Sequence, residues 1–414
     1  AAEDSGFGPV VEDNYQPAQP ESTEEPEDAD QPESTEEPKG AAQPESTEEP
    51  KAADRQESAE QSEAADQQES ADRQAQPQQA APAAAPAAST PGNGFCKNII
   101  TVINKCADKV LNLTLKNVKI DVSDTGTGNY PYAHDGKAAL SVQGEGNVEI
   151  ELDGKNELKS GYNRAGLEKN TSTGTLTLKD DNKDGSLRAE GGSGGAGIGG
   201  GSGDGSGDGD GENITIKGGR VTAVGNKFGA GIGGSNGGSG KHITITGGEV
   251  TATGGDYGAG IGGGYYGSGE HITINGGTVN AVGDGHGAGI GGGAEGSGQN
   301  IKITGGTVNA SGWAGAGIGG GVNCSGSHVT VSGAAQVTVT ASKSSDWDSA
   351  DTGATIGNGG SVTEDGDLVN GEEIQADISG LTTGYIHHII YNLDGSIKRE
   401  WWEFARPQPN PEDP

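Results

Sequence analysis

Three observations predict an all-β chain folded as a right-handed parallel β-helix of about eight coils, behind a long disordered acidic segment. An Ala-Gly-Ile tripeptide recurs every 28 or 29 residues, each unit holds three short alternating strands, and glycine pairs stand at the corners. Fixed periods of this size signal stacked repeats in which each unit buries its apolar side against the next.

Composition sets the frame. The chain has 414 residues, 79 of them glycine, with only 4% aromatic and 30% hydrophobic residues. A closely packed globular core needs more large apolar side chains than this. A thin, regular core plus a disordered part satisfies the numbers.

Residues 1–94 supply the disordered part. Gln-Pro-Glu-Ser-Thr-Glu-Glu-Pro occurs at 19–26, 31–38 and 43–50, followed by Gln/Glu/Ala runs and Ala-Pro repeats. Such a segment cannot bury enough apolar surface to offset its ordering entropy, so it reads as a solvated, extended spacer. It also carries much of the formal charge of −34. The repeat body from Asn213 to Thr340 is balanced, with five acidic and five basic side chains. It lacks the basic stripe that neutralises phosphates, which argues against nucleic acid. No apolar run is long enough for a membrane-spanning helix. The chain contains no methionine, even at position 1, so Ala1 is expected to be a mature N-terminus left after export.

The β-helix is expected over 95–358. Ala230-Gly231-Ile232, Ala259-Gly260-Ile261, Ala288-Gly289-Ile290 and Ala316-Gly317-Ile318 anchor the regular coils. Ala196-Gly197-Ile198 precedes them, offset by an insertion at Gly201–Glu212. Weaker versions at Ala138, Ala165 and Ala354 complete eight registers. Within one unit, Ile243-Thr244-Ile245 and Val250-Thr251-Ala252 alternate, which sends one set of side chains inward and the other outward. The inward columns are uniform: Ile214, Ile243, Ile272, Ile301 and Val329 form one, and Val221, Val250, Val279 and Val308 another. At roughly 4.8 Å per rung, eight coils make a rod on the order of 40 Å long. A propeller blade would need about 40 residues and four longer strands.

The ends need covers, since open coils template aggregation. Residues 95–120 read as an N-terminal cap and first coil, in which Cys96 and Cys106 lie close enough to pair. Cys324 is left as a small buried apolar residue. The region 359–414 reads as a hairpin turning at Asp394-Gly395, whose Trp401, Trp402 and Phe404 cover the last coil, followed by an acidic Pro-rich tail.

Three stretches carry a resemblance: Leu113–Val118, Gly146–Asn156 and Gly174–Asp181. Together with the Gly-Ala-Gly-Ile-Gly-Gly repeats they resemble a family of bacterial extracellular carbohydrate-binding β-helices. The likeness covers roughly residues 105–360. One member of that family binds polygalacturonate, and Ca²⁺ is associated with its fold. The resemblance therefore implies an extracellular polysaccharide, acidic ones included, as partner. It transfers no binding motif residue by residue.

The outward side chains give a candidate site. Phe228, Tyr257, His286 and, one residue shifted, Trp313 stand just before the Ala-Gly-Ile strand, with Tyr162 as an approximate earlier equivalent. Stacked coils align such residues in a ladder, and Gly231, Gly260, Gly289 and Gly317 beside it are expected to leave a flat outward shelf. Sugar rings pack on aromatic faces in this way. The plainer reading is that these rings only cover glycine-rich turns. Tyr265 and Tyr266 are a second candidate pair.

Metal and catalytic readings are weaker. His242, His271 and His328 share a register with Asn213 and Asn300, which suggests a side-chain ladder more than a metal site. Asp180, Asn182, Asp184 and Gly185 open like an EF-hand loop, yet Gly191 stands where its bidentate Glu belongs, so a turn is expected. Asp204, Asp208 and Asp210 in the insertion are the remaining Ca²⁺ candidates. No cofactor is expected otherwise. Catalysis would need converging carboxylates, or an Arg or Lys base beside a bound metal, and the regular coils present neither, which leaves the degenerate coils, where Asp121, Asp135 and Glu168 lie. The outward Thr rows are too interrupted for an ice-binding face. The expectation is thus a non-catalytic, secreted or cell-surface polysaccharide binder. A structural or adhesin rod with a protein partner comes second, and a polysaccharide lyase is the remote third.

Overall fold

The computed structural model describes residues 94–128, 134–170, 173–201, 209–342 and 352–405. The acidic spacer expected over 1–94 lies, Gly94 apart, outside the described residues, as do Asp204 and Asp208.

The described residues form an all-β parallel β-helix with three long sheets. Sheet I has nine strands, from Ile100–Ile103 through Ile232–Gly233 to Ile356–Gly357. Sheet II runs from Val110–Lys116 to Gly326–Val331, and sheet III begins at Lys119–Asp121. Each strand pairs in parallel with its equivalent one coil on: Ile232 with Ile261, Thr244 with Thr273, Val250 with Val279. The eight registers read from the sequence are all present, and Ile100–Ile103 adds a ninth rung to sheet I at the N-terminal end.

The inward columns form one continuous core. Ile214, Ile243, Ile272 and Ile301 are fully buried, as are Val221, Val250, Val279 and Val308. Burying such a side chain contributes about 1.5–3 kcal/mol, and the contribution repeats in every coil. Their outward neighbours Thr244 and Thr251 stay half-buried, as alternation requires. At the corner between sheets II and III the second glycine of each pair takes positive φ: +85° at Gly219, +89° at Gly248, +86° at Gly277 and +85° at Gly306. A side chain there would be strained, which explains the invariance of the Gly-Gly corner along the repeat.

The C-terminal end departs from a simple cover. Tyr385–Tyr391 is the next parallel strand of sheet III, in register with Gln336–Ser342, and Ile397–Phe404 returns antiparallel along it. The turn falls at Asp394-Gly395, where Ser396 N and Oγ donate to Asp394 Oδ1. Alternation divides the three aromatics expected to cover the last coil. Trp401 lies opposite buried His388 and stacks on it at 4.4 Å. Trp402 and Phe404 point the other way and remain 45% and 59% exposed. Glu373 ties the last rung of sheet I, accepting from Thr355 N at 2.7 Å, Thr355 Oγ1 at 2.8 Å and Ile356 N at 3.1 Å.

The expected Cys96–Cys106 pair is not formed, and all three cysteines are free thiols. Cys96 packs against the core and its thiol donates to Lys119 O at 3.2 Å, whereas Cys106 stands exposed in the following turn. The first coil is closed instead by a backbone bridge between Cys96 and Ile120.

Candidate functional site

The turn leading from sheet III into sheet I carries the ladder. Its backbone repeats coil by coil, with Tyr257 N donating to Lys227 O and His286 N to Asp256 O. This register places Phe228, Tyr257 and His286 directly over one another. The Phe228 and Tyr257 rings lie 5.4 Å apart at 28°, and Tyr257 and His286 lie 4.9 Å apart at 13°.

Trp313 does not join them. In the next coil it is Ala314 N that donates to Gly285 O, so buried Ala314 occupies the ladder position. The turn Gly312–Gly315 is one residue shorter than Gly283–Gly287, and the deletion displaces Trp313 to the preceding register. Tyr162 is displaced in the same sense.

Tyr265 and Tyr266 are part of the same cluster. Tyr265 N donates to Phe228 O, and its ring sits 5.6 Å from Phe228 and 5.0 Å from Tyr257. Tyr266 lies against Tyr265 at 3.8 Å, and the Tyr265 hydroxyl donates to the Tyr266 hydroxyl at 2.8 Å. That bond, with burial and the neighbouring Tyr266 and Glu295, pushes the Tyr265 phenol up to about 12. Phe228, Tyr257 and Tyr265 are half-buried and Tyr266 is 61% exposed, while His286 is only 6% exposed. His286 is therefore a floor under Tyr257, and the accessible rings are the other four. Lys227 Nζ lies 4.7 Å over the Phe228 ring.

The expected glycine shelf is not outward. Gly231, Gly260, Gly289 and Gly317 are buried, and a Cβ on Gly231 would lie 2.6 Å from Thr253 N and from Gly260 O. These glycines let sheet I approach the backbone of sheet III, so they serve packing.

A polar groove lies on the same side of the coils. It has a volume of about 390 Å³ and is lined by Asp121, Lys159, Tyr162, Glu190, Ser193 and Asn226 among others. Lys159 Nζ sits 3.2 Å from Glu190 Oε2, and Asp121 Oδ1 accepts from Ser123 N and Oγ. The hydrogen bonds from Ser123 and the positive charges of Lys97 and Lys159 outweigh burial, which is the largest single influence on Asp121, and leave its carboxyl below the ordinary range.

The other two degenerate-coil acids are differently engaged. Glu168 is buried and accepts from Arg164 Nη2 at 2.7 Å, with burial raising its carboxyl. Asp135 accepts from Asn163 Nδ2 at 2.9 Å. Beside Glu168, burial lowers the Lys169 ammonium to about 8.

Of the Ca²⁺ candidates, Asp210 is half-buried and committed to its own chain, accepting from Lys241 Nζ and Ser239 N, both at 2.6 Å. Asp180–Gly185 is the expected turn between Leu176–Lys179 and Ser186–Glu190. His242 and His271 stack at 5.1 Å and 14°. Their register has a conformational cause that the sequence reading missed. Asn213, His242, His271, Asn300 and His328 all have φ between +53° and +57°. Asn and His are among the residues that tolerate this left-handed region best, and their alternation in one column was the available signal.

Comparison with known proteins agrees with this architecture. Residues 214–238, 243–265, 272–294 and 301–322 match the family model described as Beta helix repeat. The chain carries beta helix repeats. The first three matched stretches hold Phe228, Tyr257, Tyr265 and His286, and Tyr266 follows directly after the second. No curated protein and no solved structure matches the chain. Among the described residues, no helix is long and apolar enough to cross a membrane.

Proposed function

We propose that this β-helix is a non-catalytic binder of a polysaccharide, acting outside the cell or at its surface. The observation that carries the reading is the cluster of Phe228, Tyr257, Tyr265 and Tyr266. In a chain with 4% aromatic residues, these four rings gather from the two turns that flank sheet I and stay accessible. Parallel coils repeat at about 4.8 Å, close to the length of one sugar, so a linear polymer can follow the ladder along the helix axis. Aromatic faces supply C–H contacts, and the Tyr hydroxyls and Asp256 supply hydrogen bonds.

A glycan array run on the full chain and on the Tyr257→Ala/Tyr265→Ala variant tests this. A saturable hit that the variant loses supports the reading. A blank array with folded protein moves the assignment to a structural or adhesin rod. That second reading is favoured by one observation of its own: exposed Trp402 and Phe404 form, with Tyr385 and His387, a contiguous outward face on the last strands of sheet III.

A further inference from the structure

We infer that the polar groove and the aromatic cluster are two halves of one site, and that its ligand is a neutral, linear, hydroxyl-rich polysaccharide lying along the coils. The inference rests on the binding role proposed above and specifies the ligand class and the extent of the site.

Continuity comes first. Asn226 lines the groove and stands two residues before Phe228 on the same turn. Tyr162 and Ser193, which also line it, lie on the equivalent turns of the two preceding coils. Going down the coils, the turn thus offers Tyr162, Ser193, Asn226–Phe228 and Tyr257, with His286 as the buried floor. From the rung of Asp121 to the rung before His286 is four steps, roughly 19 Å, enough for a chain of about four sugars.

The two halves have complementary chemistry. The cluster offers ring faces, which match the C–H surface of a pyranose. The groove offers Asp121 and Glu190 carboxylates, the Lys159 ammonium, the Ser193 hydroxyl and the Asn226 amide, which match its hydroxyls. A polymer of repeated sugars presents both surfaces along its length.

Charge decides the class. The groove carboxylates Asp121 and Glu190 are matched by Lys159 and by Arg188, whose Nε donates to Glu190 Oε1, which leaves no spare positive charge for a polyanion. Around the cluster, Asp256 precedes Tyr257 and is charge-coupled to Asp284, Glu295 acts on Tyr265, and Lys227 lies over Phe228. Asp284 is held above the ordinary carboxyl range by burial and by the charge of Asp256, so negative potential already accumulates there. An anionic polymer such as a polyuronate would meet like charge at the cluster and no unpaired cation in the groove, whereas a neutral glycan meets no repulsion in either half.

Isothermal titration with neutral oligosaccharides of two to seven sugars, and with oligogalacturonates with and without Ca²⁺, tests the inference. The neutral series is a set of glucans, mannans and galactans. The wild-type chain should bind a neutral series with affinity rising at least tenfold up to about four sugars. Glu190→Gln/Asn226→Ala should remove the gain of the longer chains and leave the shortest bound ligand unchanged. If that variant binds long chains like wild type, the groove is not part of the site. If oligogalacturonate binds as tightly as the neutral series, alone or with Ca²⁺, the ligand class is wrong while the binding role stands. If no sugar of either kind binds the folded chain, the binding role itself fails, and the inference with it.

Discussion

Tyr257 and His286 stack one coil apart, 4.9 Å between ring centroids and 13° from parallel, yet only Tyr257 faces solvent. A single register therefore contains both a surface ring and its support. The accessible part of the ladder ends there, because the next coil places buried Ala314 at the same position.

The hydroxyl pair at the edge of this cluster can be titrated directly. Tyr266→Phe removes the acceptor that favours the protonated form of Tyr265. Its phenol, held at about 12, should then ionise nearer the ordinary value of about 10. Phenolate absorbance against pH reads the change. The raised value stabilises the fold below pH 10, and that contribution is lost as pH climbs toward 12. A Tyr266→Phe titration curve identical to wild type would contradict the assigned bond.

Positive φ in the His/Asn column predicts an unusual substitution series. His242 sits at φ +53°, so His242→Asn should be tolerated, and His242→Val should cost about 1–2 kcal/mol. Urea denaturation of the two variants distinguishes this from a side-chain ladder, in which Asn and Val would weaken the stack alike.

The position of the glycines is equally testable. A Cβ at Gly231 would meet Thr253 N and Gly260 O at 2.6 Å, so Gly231→Ala should destabilise by about 1–3 kcal/mol. An outward shelf would accept alanine without loss. Thermal melting of this one variant separates the two.

Lys169 links the fold to alkaline pH. Burial lowers its ammonium to about 8, below the value of about 10.4 expected in the unfolded chain. The unfolded chain binds the extra proton between those values, so stability should rise with pH from about 8 to 10.4. Lys169→Met should flatten that rise, whose full extent is on the order of 3 kcal/mol. Denaturation midpoints of both proteins at pH 7.5 and 10 give the comparison. Parallel shifts would contradict it.

The core was legible in the sequence because the period is strict. Ile214, Ile243, Ile272 and Ile301 repeat at 29 residues, and alternation fixes their side without reference to anything distant. The ladder was legible for the same reason, up to the 28-residue unit that displaced Trp313. The glycines misled because Gly231 carries no side chain to reveal its direction, and the approach of sheet III decides it. The hairpin at Asp394-Gly395 was visible in the turn residues, but its strand's place as the next rung of sheet III was not. Parallel pairing of Tyr385–Tyr391 with Gln336–Ser342 spans a separation that no local pattern reports. Cys96 and Cys106 illustrate the converse, since proximity along the chain says little when one side chain faces the core and the other faces solvent.

The most direct test of the central claim is the affinity of the full chain for a linear polysaccharide, measured beside the Tyr257→Ala/Tyr265→Ala variant at equal folded concentration. Two lost ring contacts of about 1 kcal/mol each predict a fall of at least tenfold in affinity with an unchanged circular dichroism spectrum. Equal binding by the two proteins, or saturable binding by neither, would contradict it.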